Sequence, residues 1–197
     1  MLDAFNVLLV RDEKNHSAVV ELGLRACGAR DIHYLTCGEN ILSVLNERVF
    51  DLIVLDVEKP STKLFEQFAI VHEFCPKPVV CFSNDGDSEV IKQSVNVGIT
   101  SYIVGGKELG RIKPIIEVAM LRFKTCYSLK KELTDVKHKL TERGLIEKAK
   151  GLLMEHKAMS EDEAYQTLRK MAMDQGKKIT IIAREVSGVL AGLSSVE

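Results

Sequence analysis

The sequence predicts an α/β fold for the first part of the chain and an all-α fold for the last part. Three observations lead to this prediction. Short apolar runs alternate with amphipathic stretches over roughly the first 110 residues, an unbroken helical pattern follows, and two further helical stretches carry clear start signals. The predicted architecture is a five-stranded parallel sheet covered by helices, then a coiled-coil helix, then a small three-helix bundle. The 197 residues leave room for one full domain and a smaller one.

Five apolar runs have the length and composition of buried strands. They are Phe5–Val10, Ile32–Cys37, Leu52–Asp56, Pro78–Ser83 and Ser101–Gly106. The stretches between them have helical spacing. They are Ser17–Gly28, Glu39–Val49, Lys63–Phe74 and Asp87–Gly98. Because apolar runs without alternation are typical of strands buried on both faces, we expect a parallel sheet with helices on both sides.

A fifth helix starts near Glu108 and continues far beyond the sheet. After Pro114, a first-turn proline, nothing interrupts its pattern before Gly144. Within it lies an apolar seam with heptad spacing, which Ala119 extends by seven residues. The seam consists of Cys126, Leu129, Leu133, Val136 and Leu140. Charged residues flank the seam, so the pattern favours a parallel two-stranded coiled coil, and thus a homodimer, over a helix packed on its own chain.

The remaining residues predict two more helices. Ser160 and Glu163 have the S-x-x-E spacing of a capping box at the start of the first helix. Gly176 ends that helix, and Thr180 is expected to cap the next. Apolar residues at helical spacing mark the packed faces: Ala164, Leu168, Met171 and Ala172 in the first helix, and Ile182, Ala183, Val186 and Leu190 in the second. The predicted division of the chain is residues 1–115, 116–142 and 143–197.

Composition excludes several classes of protein. The five cysteines include no C-x-x-C pair, and the five histidines have no metal-ligand spacing. We therefore predict reduced thiols in a cytoplasmic protein, and no zinc site. No apolar run reaches the ~18 residues of a membrane span, and no basic leader precedes the first apolar stretch, so no membrane contact is expected. The sequence offers no nucleophile–base pair and no phosphate-binding loop, so we predict no catalytic residues and no enzyme.

Charge is distributed unevenly along the chain. Residues 1–110 carry a net charge of −6, whereas residues 111–197 carry +5. A polyanion is therefore expected to bind the C-terminal part. A solvated helix surface with more lysine than glutamate gives the same excess, so charge alone does not decide between the two interpretations.

Polar residues follow the predicted strands at the edge of the sheet where ligands bind. Arg11 and Asp12 follow the first strand, Asp56 ends the third, Ser83 ends the fourth, and Gly105 lies at the end of the fifth. The carboxyl ends of parallel strands meet at one edge, so these residues form the candidate site of the first domain.

With these strand ends, residues 5–115 resemble the receiver domain of a response regulator, which has a flavodoxin-like fold. The resemblance implies that Asp56 is the phosphoacceptor. It also implies that Asp12 is one acid of the metal-binding pair, and that the hydroxyl of Ser83 follows the phosphoryl group.

Two positions depart from the receiver pattern. Arg11 replaces the first acid, and Gly105 with Gly106 replaces the lysine after the fifth strand. Arg11 removes a metal ligand and supplies a cation that neutralises Asp56, while Gly105 removes the lysine that pairs with an acyl phosphate. A working phosphorylation site and a vestigial pseudo-receiver controlled by another protein both stay open, and the departures favour the second. Mg²⁺, held weakly by Asp12 and Asp56, is the candidate cofactor.

The last part of the chain resembles the ANTAR domain, the RNA-binding output module of transcription antiterminators. The resemblance covers about Leu140 to Val189. It rests on Arg143, AKGLLM (149–154), SEDEAY (160–165), LRKMAM (168–173) and Ala183. It implies binding of leader-RNA hairpins and prevention of termination. With glycine in place of the receiver lysine, the chain most resembles the NasT branch, the nitrate and nitrite assimilation regulators. There a nitrate-sensor protein holds the antiterminator inactive; a working receiver implies a histidine kinase instead.

The candidate RNA-binding residues are cations of this region. They are Arg143, Lys148, Lys150, Lys157, Arg169, Lys170, Lys177 and Lys178. Unpaired RNA bases are usually read by stacking on aromatic rings or on Arg planes. Tyr165 is the one aromatic residue after Tyr127, and we expect it to be partly buried. Arg143 or Arg169 would then stack on bases, unless the loop is recognised by its shape.

Two other functions compete with RNA binding. The stretch TIIAREVSGV (180–189) superficially resembles the start of a helix-turn-helix, as in a DNA-binding response regulator. That motif requires a recognition helix, and the residues after Gly188 have no polar reading face. The third possibility is a regulator that binds only protein. A gel shift with leader RNA against duplex DNA separates all three.

Overall fold

The structure is a computed structural model that describes residues 4–12 and 18–193. It has two compact units, residues 1–127 and 128–197. The strands are β1 (Phe5–Arg11), β2 (Ala29–Thr36), β3 (Leu52–Asp56), β4 (Val79–Ser83) and β5 (Ser101–Val104). The helices are α1 (Ala18–Ala26), α2 (Ile41–Glu47), α3 (Thr62–Phe74), α4 (Ser88–Asn96), α5 (Leu109–Lys157), α6 (Glu161–Asp174) and α7 (Ile179–Leu193). The predicted start of the first helix at Ser17 lies outside the described residues.

The strands of the first unit form one parallel sheet in the order β2-β1-β3-β4-β5. This is the strand order of flavodoxin-like folds, in which ligands bind beyond the carboxyl ends of the strands. The register places Arg11 of β1 beside Asp56 of β3, and Asp56 beside Phe82 of β4. The predicted fold of this part of the chain is confirmed.

Apolar side chains cover both faces of the sheet. Leu55 belongs to the face that packs against α2 and α3, and Val54 to the face that packs against α1 and the start of α5. Gly23 allows α1 to approach α5 closely, since a Cβ at this position would lie 2.6 Å from Cγ2 of Ile112. Because both faces are closed by helices, the strand ends are left for a polar site.

Helix α5 is continuous from Leu109 to Lys157, as its unbroken pattern predicts. Pro114 lies in its second turn, one turn later than predicted. Four of the predicted seam residues are 53–65% exposed in the single chain, namely Leu129, Leu133, Val136 and Leu140. Cys126 is also exposed. Ala119 is fully buried in the core of the first unit, so the prediction that it extends the seam is wrong.

The second unit consists of residues 128–157 of α5 together with α6 and α7. Its core contains Ala149, Leu153, Ala164, Leu168, Ala172, Ile182, Ala183 and Leu190. The capping box predicted at the start of α6 is present: the Oγ of Ser160 accepts from the backbone N–H of Glu163 at 3.3 Å, and Oε2 of Glu163 accepts from the N–H of Ser160 at 2.8 Å. Helix α7 begins at Ile179, so Thr180 lies inside the helix and does not cap it. Among the described residues, no helix combines the length and the apolar character needed to cross a lipid bilayer.

Candidate functional site

The carboxyl edge of the sheet carries the predicted receiver residues. Asp56 ends β3 and is 2% exposed, and Ser83 ends β4 and is fully buried. Glu58, in the loop after β3, connects the neighbouring strand ends. Its N–H donates to Oδ2 of Asp12 at 2.7 Å, and its carbonyl oxygen accepts from the hydroxyl of Ser83, also at 2.7 Å. The structure therefore gathers Asp12, Asp56 and Ser83 at one edge.

Lys107 fills the position that the sequence left without a lysine. Its Nζ lies 2.6 Å from Oδ1 of Asp56, and its side chain is 18% exposed. Gly105 and Gly106 precede it with φ values of 66° and 70°, a left-handed conformation that glycine adopts at little cost. The N–H of Gly105 donates to the carbonyl of Ser83 at 2.8 Å, which fixes the start of this turn. The expectation that Gly105 removes the counter-ion of the site is therefore wrong.

Arg11 does not neutralise Asp56, contrary to expectation. Its guanidinium lies over the ring of Tyr34 on the neighbouring strand β2, 4.4 Å from the ring centroid, in a cation–π contact. Burial, followed by a hydrogen bond with Glu21, raises the pKa of Tyr34, so the phenol stays neutral at physiological pH. The pKa of Glu21 is lowered by a hydrogen bond with Tyr34 and then by one with Arg25, and the charge of Arg11 makes the smallest contribution.

The described carboxylates do not fit a Mg²⁺ ion in the arrangement present. Asp56 has the ammonium of Lys107 on Oδ1, and Asp12 holds the N–H of Glu58. Among the described residues, no group of three or more His, Cys, Asp or Glu side chains is placed to bind a metal ion. A Mg²⁺ ion at Asp12 and Asp56 would first have to displace Lys107.

Two thiols near this edge are held in the protonated form. Burial, with a smaller contribution from the charge of Asp56, raises the pKa of Cys81 to about 12. Burial and then Asp12 raise the pKa of Cys37 to about 11. Because the thiolate is the reactive form of cysteine, neither side chain supplies a nucleophile here at neutral pH.

The bundle exposes most of the predicted RNA-binding cations. The exposed side chains are Arg143, Lys148, Lys157, Arg169, Lys170, Lys177 and Lys178. Lys177 also forms an ion pair with Glu185 at 2.8 Å. The others lie on or beside all three helices of the bundle, where phosphates can reach them.

Lys150 is the exception among these cations. It is 7% exposed, and its Nζ lies 2.9 Å from Glu147 and 2.6 Å from Glu161. Hydrogen bonds with Glu161 and then Glu147 raise the pKa of Lys150, and the bond with Lys150 lowers the pKa of Glu161. The prediction that Lys150 contacts RNA from the surface is therefore wrong; it joins α5 to α6. The sequence places a basic residue here but does not reveal that two acids converge on it.

A groove on the bundle contains residues that the sequence did not connect. It has a volume of about 390 Å³, and its lining includes Lys139, Arg143 and Tyr165. Tyr165, which we expected to be partly buried, is 41% exposed. Lys139 directly precedes the seam residue Leu140 in the sequence and was not among the predicted RNA-binding residues, so spacing along α5 did not indicate that it lines this groove.

Residues 134–186 match the family model of the ANTAR domain. The match starts within α5, earlier than the predicted Leu140, and ends near the predicted Val189. It falls within the second unit, so the three-helix bundle is the ANTAR domain of this chain.

Two curated proteins are similar to this chain. The transcriptional regulatory protein PdtaR of Mycobacterium tuberculosis is 26% identical over 136 residues, which cover 69% of this chain and 66% of that protein. A nitrate regulatory protein of Klebsiella oxytoca is 48% identical over 60 residues, which cover 30% of this chain and 15% of that protein. The matched parts span less than two thirds of the length of either relative.

A solved structure supports the fold of the first unit. The signal receiver domain of a modulated diguanylate cyclase from Desulfovibrio desulfuricans G20 superposes with a TM-score of 0.51 at 19% identity, covering 62% of this chain and 98% of that chain. With a receiver fold in its first unit and an ANTAR domain in its second, the chain belongs to the ANTAR response regulators.

Proposed function

We propose that this protein is a transcription antiterminator that binds a hairpin in leader RNA and prevents the terminator hairpin from forming. The ANTAR match over residues 134–186 carries the proposal, because this domain resembles the RNA-binding output module of antiterminators. The similarity to a nitrate regulatory protein supports nitrate and nitrite assimilation genes as the target.

The exposed cations of the bundle support an RNA ligand. Arg143 and Lys148 lie on α5, Arg169 and Lys170 lie on α6, and Lys178 directly precedes α7. Each Lys or Arg that neutralises a phosphate releases counterions, so binding should weaken steeply as salt rises. A DNA target is less well supported, since the stretch 180–189 lies within the continuous helix α7 and lacks the turn that a helix-turn-helix requires.

A gel shift and a terminator-readthrough assay test this function. The parent protein is expected to bind the leader hairpin in preference to random transcript and duplex DNA. Arg169→Ala is expected to lower affinity and readthrough without changing circular dichroism, because its side chain is exposed. Leu168→Ala, the adjacent and fully buried position, should instead destabilise the bundle by ~2–5 kcal/mol.

Two outcomes distinguish a wrong choice of RNA-binding surface from a wrong function. If Arg169→Ala reads through like the parent while remaining folded, the RNA surface lies elsewhere on the bundle. If the parent itself has no preference for leader RNA over random transcript, the proposed function is wrong.

We further propose that the chain acts as a parallel homodimer through the seam on α5. Leu129, Leu133, Val136 and Leu140 expose more than half of their surface in the single chain. A row of large apolar side chains at heptad spacing is stabilised when a second helix covers it. Light scattering on the full chain tests this state.

For the first unit we propose control by a partner protein, such as a nitrate sensor, rather than by a phosphoryl group from a histidine kinase. Arg11 occupies the position of an acid of the metal-binding pair, and its guanidinium is engaged with Tyr34. A site that lacks one acid binds Mg²⁺ weakly, and close approach of a phosphoryl donor to a carboxylate normally requires that ion.

An RNA ligand that emerges during transcription also supports a cytoplasmic location.

A further inference from the structure

The groove on the bundle combines an aromatic wall, an apolar floor and two cations. Tyr165 contributes the ring, Ile146 and Ile179 contribute apolar surface, and Lys139 and Arg143 contribute positive charge. These are the features of a nucleotide site, in which a base stacks on a ring and its flanking phosphates meet cations. We propose that this groove, which we call the Tyr165 groove, takes one unpaired base from the loop of the bound hairpin. The inference rests on the proposed RNA-binding function and deepens it.

Tyr165 is the one Phe, Tyr or Trp residue in the sequence of the second unit, residues 128–197. Tyr165 follows the fully buried Ala164 on α6, yet it is 41% exposed rather than packed into the core. A tyrosine that leaves its ring in solvent gives up burial of a large apolar surface, and a stacked base would restore it.

The charges of the groove favour a polyanion over a neutral ligand. Lys139 and Arg143 are four residues apart on α5, so they lie on the same face of that helix. Of the two carboxylates in the lining, Glu147 is already paired with Lys150 at 2.9 Å. Glu142 is the second carboxylate, and its negative charge would repel a nearby phosphate. This arrangement predicts that Glu142→Gln strengthens RNA binding.

The proposal is tested with the full chain and the leader hairpin by fluorescence anisotropy. Tyr165→Phe keeps the ring and is expected to bind like the parent. Tyr165→Leu keeps an apolar side chain but removes the ring, and it should bind about 10-fold more weakly, within the range that loss of one stacked base produces. Thermal unfolding checks that both variants keep the fold of the parent.

A set of hairpins with a single abasic site at each loop position identifies the base. At one position, and not at the others, the abasic site should weaken binding to the parent while leaving Tyr165→Leu unchanged. A 2-aminopurine at that position should lose fluorescence when the parent binds, because stacking quenches it. This last measurement needs no variant, so it decides the matter even if Tyr165→Leu is poorly folded.

Several results would overturn the proposal. The first is a Tyr165→Leu variant that loses the same amount of affinity on the intact hairpin and on every abasic hairpin. The second is a Tyr165→Phe variant that binds as weakly as Tyr165→Leu. The third is 2-aminopurine whose fluorescence stays high at all loop positions when the parent binds. These failures differ from failure of the proposed function. A parent that selects the leader hairpin but needs no ring at position 165 loses only the base site, whereas a parent that does not select the hairpin loses both.

Discussion

The ammonium of Lys107 lies 2.6 Å from Oδ1 of Asp56, although Lys107 is three residues past the end of β5. The ion pair brings a cation from the loop after β5 to a carboxylate that is 2% exposed at the end of β3. A buried carboxylate without a counter-ion is strongly destabilising, so the loop that carries Lys107 is energetically connected to the end of β3.

Lys107→Met is expected to destabilise the first unit by ~3 kcal/mol, because it leaves the buried carboxylate of Asp56 uncompensated. Asp56→Asn should cost less, since the side chain of Lys107 is 18% exposed and can turn towards water. The double variant should recover most of the loss. Urea unfolding of the four proteins gives the coupling free energy, and additive losses would contradict the pairing.

Asp56→Asn is expected to leave RNA binding by the full chain nearly intact, because Arg11 replaces an acid of the metal-binding pair and makes phosphorylation a poor switch here. Treatment with a small-molecule phosphodonor should likewise change the affinity of the parent for leader RNA little. A large gain in affinity with the phosphodonor that disappears in Asp56→Asn would show that the site is a working acceptor.

Lys148 and Lys150 form a matched pair on α5, one exposed and one buried. Lys148→Ala should leave thermal stability unchanged and, if Lys148 contacts a phosphate, reduce the slope of log affinity against log salt by about 1. Lys150→Ala should lower stability clearly more, because Glu147 and Glu161 lose their shared cation. Equal melting temperatures for the two variants would mean that the buried pairing contributes nothing.

The bundle should lose stability at low pH. Its fold lowers the pKa of Glu161, through Lys150, and that of Glu163, through the N–H and hydroxyl of Ser160. A carboxyl group with a lower pKa in the folded state stabilises the fold above its ordinary pKa of 4.5, and this contribution disappears as pH falls through the folded pKa.

At alkaline pH the dependence has the opposite direction, because stability is lost as pH rises. Lys150 has a raised pKa, so its contribution is full below the ordinary value of 10.5 and disappears as pH rises through the folded value. Hydrogen exchange of the α6 amides, measured across pH and corrected for the intrinsic exchange rate, reports the stability of the bundle at both the acid and the alkaline end. Glu161→Gln should reduce the loss of stability at low pH. An unchanged loss would contradict the contribution assigned to Glu161.

Leu133→Glu combined with Val136→Glu is expected to convert a dimer into monomers, because both seam positions would bring like charges together in an apolar interface. The control is Thr134→Glu with His138→Glu, which adds two glutamates on the outer positions of the same heptads. Light scattering should give half the parent mass for the seam variant and the parent mass for the control. An unchanged mass for the seam variant would contradict the coiled coil.

Periodicity was sufficient for the fold. Continuous apolar runs located all five strands, since the sheet is buried on both faces, and β3 was predicted to the residue as Leu52–Asp56. The capping box at Ser160 was equally readable, because its two hydrogen bonds depend only on local spacing. Periodicity was less informative where tertiary packing determines whether a side chain is buried. Ala119 fits the heptad spacing, but it is buried in the core of the first unit.

The site was predicted where position along a strand determines location, and missed where a loop or another helix does. Asp56 and Ser83 end strands, so their meeting at one edge follows from the parallel sheet. Lys107 reaches Asp56 only through the left-handed turn at Gly105 and Gly106, which spacing does not predict. In the same way, the neighbours of Lys150 come from a separate helix, so its burial depends on how α5 and α6 pack.

The backbone of Glu58 has a mechanical consequence for the receiver edge. Its N–H is held by Asp12, beyond β1, and its carbonyl by the hydroxyl of Ser83 at the end of β4. The backbone N–H of Asn84 donates to the same carbonyl at 3.1 Å. A force applied to any of these strand ends therefore acts on the other two through the backbone of one residue. A partner protein that pulls the loop after β3 would displace the ends of β1 and β4 together, without any chemical change at Asp56.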